Sequence, residues 1–313
     1  MDNSLEEKEM SNSHLVYDKI PPFHEQTDFI ELTRKISSLL KETKEHEWIE
    51  HVQAINYIRR LRKYNKQVFK IIMYDLDIFD IILSFLNSLR TTLCKVTLVF
   101  IQELFSEYEF EYDNNDEQIG LLKFIQFITP KLLLKANSEK NFIKEEAINC
   151  LKKISENMIY GDTLITLTKC CLDKGNNICE LSFKCIEELI PNFDINYLLY
   201  FDYWNEFFSV LVQLIKKKKE PYIKKSFLII NLLEESIGKE NFDKIINENC
   251  KKDEKELIEK NKSSFLTRKL KKLNDKKENK IRDLIKEHRN HLKKQISEKV
   301  PINIFIPKKN NLN

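Results

Sequence analysis

The sequence predicts an all-α protein, a solenoid of about five to six stacked helix pairs, and three observations predict it. The first is the scarcity of turn residues: 4 Gly and 7 Pro in 313 residues are too few to punctuate a sheet protein of this length. The second is periodicity, because apolar residues recur three and four apart in one segment after another, as in helices that bury one face. The third is spacing. The helical segments alternate in pairs with short links, and the pairs begin roughly 35 to 55 residues apart, the interval of a helical-repeat array.

Taken in order, residues 1–26 are polar, carry Pro21 and Pro22, and read as a flexible leader. "TDFIELTRKISSLLKE" offers Thr27 or Asp28 as N-cap and sets Phe29, Leu32, Ile36, Leu39 and Leu40 on one face. "WIEHVQAINYIRRLRKY" repeats Val52, Ile55, Ile58 and Leu61 every third position. Trp48, four residues before Val52, fits two readings: the first residue of that stripe, or an exposed anchor for a partner. "QVFKIIMYDLDIFDIILSFLNS" and "TTLCKVTLVFIQELFSEY" form the next pair, and the acidic "EFEYDNNDEQ" (109–118) reads as a loop. "IGLLKFIQFITPKLLLKA", interrupted at Pro130, precedes "SEKNFIKEEAINCLKKISENM". "DTLITLTKCCLDKG" pairs with "NICELSFKCIEELIP", and "YWNEFFSVLVQLIKKKKE" with "YIKKSFLIINLLEESIG". The second helices share a core pattern, Trp48/Val52/Ile55, Leu93/Val96/Leu98, Phe142/Ile143/Ala147/Leu151, Ile178/Leu181/Cys185 and Ile223/Phe227/Ile230. Such pairs stack into one continuous core near the period of HEAT and armadillo repeats, with the intra-repeat loops along one edge.

Composition narrows the function. Residues 251–313 hold 20 basic and 9 acidic side chains, a net of +11, against 32 basic and 40 acidic in the remainder, a net of −8. An acidic body thus carries a basic, charged tail, helical or disordered, in which Leu266, Leu270, Leu273, Ile281, Leu284, Ile285 and Leu292 fit a thin apolar stripe. The longest apolar runs are far short of the roughly 18 residues that cross a bilayer, and the acidic N-terminus shows no signal-peptide pattern, so an intracellular protein is expected. Seven cysteines show no CxxC pair, and with six histidines they offer no clustered ligand set, so neither a metal nor any other cofactor is expected. No phosphate-cradling loop or catalytic motif occurs, and no catalytic residue is assigned: the reading is a binding protein, not an enzyme, with no small-molecule substrate.

Three stretches carry a resemblance. "WIEHVQAINYIRRL" (48–61), "SLRTTLCKVTLVFIQELF" (88–105) and "KLLLKANSEKNFIKEEAINCL" (131–151) resemble, in order, the first three repeats of TOG domains, most closely those of the CLASP proteins and the crescerin-type TOG-array regulators of axonemal microtubules. The likeness spans about residues 27–238, within a TOG/HEAT-repeat domain set at 27–250 between the leader (1–26) and the tail (251–313). It implies a paddle-like HEAT stack that binds αβ-tubulin or microtubules through its intra-repeat loops and regulates microtubule dynamics. It also implies an exposed Trp48 on the first loop, Arg90 and Thr91 on the second with Lys95 one turn in, Lys144 on the third, and Lys224 and Lys225 on the fifth as tubulin-binding residues. The fourth loop departs from the family, with Cys179 and Glu180 at its basic positions, and His51 stands where a cation usually follows the Trp.

The resemblance implies the cytoplasm and the microtubule cytoskeleton, with a cilium or flagellum axoneme as a more specific location. Because the family works in arrays or dimers, the tail is a candidate for self-association or for tethering a partner protein. The alternative reading is a HEAT-repeat scaffold or adaptor that does not bind tubulin. Nucleic acid ranks last as a partner, since no recognised binding motif accompanies the basic tail.

Overall fold

The computed structural model describes residues 17–42, 44, 47–73, 76–106, 115–173, 175–260 and 262. The expected tail stripe from Leu266 to Leu292 lies outside the described residues. Two units divide the chain, Met1–Lys255 and Glu256–Asn313. Among the described residues there is no strand, and the first unit is a solenoid of five helix pairs.

Pair one is α1 (Phe29–Lys41) with α2 (Trp48–Tyr64). Asp28 starts α1, its carboxylate accepting the Ile30 and Glu31 N–H groups at 2.8 and 3.2 Å, two of the donors a helix start leaves unsatisfied. Pair two joins α3 (Lys66–Met73) and α4 (Leu76–Phe85) to α5 (Thr91–Ser106), so the segment expected to be one helix is two. Pair three is α6 (Asn115–Lys135) with α7 (Asn141–Asn157). Here α6 starts inside the stretch expected to be a loop and runs on through Pro130. Pro130 and Gln126 are both exposed, so water can take up the carbonyl that the proline leaves without a donor.

Pair four is α8 (Gly161–Cys170) with α9 (Asn176–Leu189), followed by a 3-10 turn at Ile190–Asn192 and the short α10 (Ile195–Leu199). Pair five is α11 (Trp204–Lys216) with α12 (Glu220–Ile237). Gly238 then turns the chain with φ 80°, a conformation only glycine adopts cheaply, into α13 (Lys239–Asn249). Residues 252–260 are also helical.

The second helices form one row, α2 on α5, α5 on α7, α7 on α9 and α9 on α12, and the first helices back them. Val52, Ile55, Ile58 and Leu61 are buried, as their spacing demands, against a core that includes Phe100, Phe105, Phe183 and Phe227. Each such side chain contributes about 1.5–3 kcal/mol by leaving water. One charged pair crosses this row: Arg59 of α2 meets Glu103 of α5 in a two-pronged contact, Nε to Oε2 at 2.7 Å and Nη2 to Oε1 at 2.5 Å. Asn56 accepts a further Arg59 hydrogen bond at 3.0 Å.

The leader departs from expectation where it is described. Residues 17–23 run along the C-terminal half of α2 instead of standing free. Arg60 donates to the carbonyls of Pro21 and Pro22, Lys63 Nζ to those of Tyr17, Asp18 and Ile20, and Tyr64 Oη to that of Ile20 at 2.6 Å. Ile20 is buried, and the Arg60 guanidinium lies 4.3 Å from the Phe23 ring centroid.

A loop edge shared by five repeats

Five intra-repeat connections join α1 to α2, α4 to α5, α6 to α7, α8 to α9 and α11 to α12, and their described residues lie along one edge. Contacts link each to the next. The His51 ring, in the first turn of α2, lies 4.6 Å from Phe85 at the end of α4. Lys135 and Lys140 of the third connection lie close enough to Cys94 of α5 to oppose the rise that burial imposes on its thiol pKa. Asn177 Nδ2 donates to Asn137 Oδ1 at 2.8 Å, joining the fourth to the third. Tyr222 Oη donates to Asn176 Oδ1 at 2.6 Å and Lys217 Nζ to the Leu172 carbonyl at 3.4 Å, joining the fifth to the fourth.

Three of these connections use the same turn. Ser88 Oγ accepts the Arg90 N–H at 3.1 Å, Ser138 Oγ the Lys140 N–H at 3.3 Å, and Asp173 Oδ1 the Gly175 N–H at 2.7 Å. A short polar side chain two residues before the cap thus fixes the backbone in each case. The residue it delivers to the cap position is Arg90 before α5, Lys140 before α7 and Gly175 before α9, and Lys219 caps α12. Three of the five caps are therefore cations. A cation near a helix N-terminus opposes the macrodipole by about 0.3–1 kcal/mol, and it replaces the Ser, Thr, Asp or Asn that would cap better.

The expected site residues fall on this edge with different surroundings. Trp48 opens α2 and is half-buried, so it is neither a core residue nor a fully projecting one. Arg90 is exposed, while Thr91 and Lys95 on α5 are half-buried. Lys144 and Lys224 are exposed and have no carboxylate partner among the described residues. Lys225 is different: its Nζ sits 2.8 Å from Glu187 Oε1 on α9, so its charge ties α12 to α9. At the fourth connection Cys179 is buried and Glu180 exposed. A hydrogen bond from Cys171 lowers the Cys179 thiol pKa, while burial pushes that of Cys171 well up.

Sequence reading missed two groups. One is apolar: Leu89 is 91% exposed at the tip of the second connection, Ile49 beside Trp48 is 51% exposed, and Phe142, assigned to the core pattern of α7, is 42% exposed. Leu89 lies outside any periodic stripe, which is the signal that could have found it. The other is cationic. Lys217, Lys218 and Lys219 form the fifth connection, and the ammonium groups of Lys217 and Lys219 stand 5.7 and 5.6 Å from the Tyr222 ring centroid. Lys218 adopts φ 56°, the left-handed conformation that glycine usually fills at a helix end. The run of four lysines, 216–219, was legible but reads on composition as a solvated helix end.

Among the described residues no group of three or more His, Cys, Asp or Glu side chains converges to hold a metal ion. No described helix is long and apolar enough to cross a membrane. Fold and edge together define a helical-repeat protein with a row of intra-repeat loops. The chain belongs to the CLASP N terminal family, a family of TOG domains, whose model matches residues 29–213. No curated protein matches the chain. Among solved structures it is similar to an engineered protein, at 11% identity over 85% of this chain and 65% of that one with TM-score 0.39. It is also similar to a designed armadillo repeat protein, at 13% identity over 75% of this chain and 99% of that one with TM-score 0.34.

Proposed function

We propose that the chain binds αβ-tubulin through this loop edge and thereby regulates microtubule dynamics. The observation that carries the reading is the placement of Arg90, Lys140 and Lys219 at helix caps. Cations there cost the isolated fold stability and recover it only when an anionic surface meets them. Tubulin is a strongly acidic partner, and the row of Arg90, Lys144, Lys217–Lys219 and Lys224 would steer it. Trp48, Ile49 and Leu89 supply the apolar anchor at the first two repeats. The fourth connection acts as a brace, because Asn176 and Asn177 bond to the neighbouring repeats. Lys225, with Thr91 and Lys95, belongs to the same proposed surface, its ion pair with Glu187 holding it against α9. Cytoplasmic microtubules, those of a cilium or flagellum included, are the location this reading implies. The domain boundaries at 27 and 250 and a tethering role for residues 251–313 belong to the same proposal.

The test is size-exclusion chromatography with unpolymerised αβ-tubulin at low salt, comparing the native chain with Trp48→Ala, Lys144→Glu and Lys219→Glu. A co-eluting complex that each variant weakens supports the reading. No complex by the native chain, together with no co-sedimentation with assembled microtubules, overturns it and leaves a scaffold for other proteins.

A further inference from the structure

The opposite edge has its own chemistry. Among the described residues, four of the twelve exposed large apolar side chains fall within nine residues: Ile195, Tyr197, Tyr200 and Tyr203, on and after α10. Tyr200 is 83% exposed. Its neighbours are braced from below: Tyr197 stacks on Phe193 at 5.4 Å between centroids, and Tyr203 meets Phe201 edge-on at 5.6 Å. Tyr197 Oη also accepts the Gly161 N–H at 2.9 Å. Gly161 also makes room for the Phe201 ring, from which a Cβ at 161 would lie 2.7 Å. Two of the three tyrosines are therefore held before any partner arrives, which lowers the entropy cost of binding.

Carboxylates gather near Tyr203. Asp162, then Asp202 and Glu206, lie close enough to the Tyr203 hydroxyl to help hold its pKa above the ordinary tyrosine value. Asp162 also accepts from Gln126 at 2.8 Å, and Lys169 is the cation present, 3.1 Å from Glu206. Exposed, pre-set tyrosine faces beside carboxylates that outnumber the cation Lys169 match lysine and arginine side chains, which bind a ring face and a carboxylate together. We propose that this inter-repeat edge docks a Lys/Arg-rich segment of a partner protein. The solenoid thus carries two edges of opposite polarity, a cationic loop edge and an acidic, tyrosine-rich one.

The experiment is fluorescence anisotropy with a labelled peptide of mixed lysine and arginine, read at low and moderate salt with the full chain. Tyr200→Ala removes a ring that braces nothing, and Asp202→Lys reverses an exposed charge. Glu145→Lys makes the same charge change on the loop edge, and thermal melts confirm that all three fold. We expect Tyr200→Ala to weaken binding about three- to tenfold, Asp202→Lys at least as much, and Glu145→Lys less than about twofold. No binding by the native chain, or equal losses at Asp202 and Glu145, overturns the proposal. So does self-association of the native chain that Tyr200→Ala abolishes, since a second copy would then be the occupant.

Discussion

The Arg59–Glu103 pair should behave as a buried staple whose value lies in its completeness. Arg59 is 1% exposed, and Glu103 receives both of its prongs at 2.7 and 2.5 Å. Removing Arg59 takes both of these donors from the buried Glu103 carboxylate, and removing Glu103 takes from Arg59 the acceptor of its two prongs. Breaking a buried pair in this way costs about 3–5 kcal/mol. At about 2–4 °C per kcal/mol for a body of this size, Glu103→Met or Arg59→Met alone should lower Tm by roughly 6–20 °C. The double variant removes both charges together and should recover at least half of the summed loss of about 6–10 kcal/mol, a coupling of about 3 kcal/mol or more. Urea and thermal unfolding followed by far-UV circular dichroism would measure all four corners of the cycle. The reasoning fails if each single change costs under about 1 kcal/mol, as an exposed pair would, or if the double variant loses the sum of the singles. The pair also matters for recognition. It joins α2 to α5, the helices whose starts present Trp48 and Arg90, so the singles should weaken partner binding below their unfolding range.

Lys218→Gly should stabilise the fold by about 0.5–1 kcal/mol, because φ 56° suits glycine, while weakening an acidic partner; a gain in stability without loss of binding would show that the lysine serves no contact. Arg60→Ala removes the donor to the Pro21 and Pro22 carbonyls and the cation over Phe23. Limited proteolysis should then cut within residues 17–26 faster, with little change in the cleavage of α5 to α12. Burial pushes the Cys170 thiol up to about 11, and the sign is clear: a raised pKa withholds the thiolate. At pH 8 about one thiol in a thousand is ionised, so alkylation of Cys170 in the folded chain should be slow and rise tenfold per pH unit. Rapid labelling at pH 7 would contradict its environment.

Most of the fold was legible because burial imposes period. The α2 stripe of Val52, Ile55, Ile58 and Leu61 and the Asp28 cap follow from spacing and residue type. What escaped was set by neighbours distant in sequence. Phe142 adjoins Ile143 in the first turn of α7 yet is exposed, because the face that packs carries Ile143, Ala147, Cys150, Leu151 and Ile154 and Phe142 points off it. Lys225 looks like Lys224, and only the presence of Glu187 on α9 separates their roles. The leader reads as flexible from its composition, whereas its described part is held through backbone carbonyls, which every residue carries and no side-chain pattern reveals. Leu89 has the opposite problem: a single exposed leucine is unremarkable in sequence and informative only at the tip of a loop row.

The locally unfavourable choices in this chain are concentrated on the loop edge. Cations stand at three helix caps, a lysine holds a left-handed conformation, and Leu89 faces water. Each conflicts with what would stabilise the isolated fold, and such conflicts gather where a partner resolves them. Their order along the edge adds a second consequence. Exposed apolar groups lie at the first three repeats, and the densest positive charge lies at the fifth. A partner bound in reverse would set its acidic surface against Leu89 and its apolar surface against Lys217–Lys219, desolvating charge without compensation at both ends. If the edge binds tubulin as proposed, this order also sets which way round the partner lies.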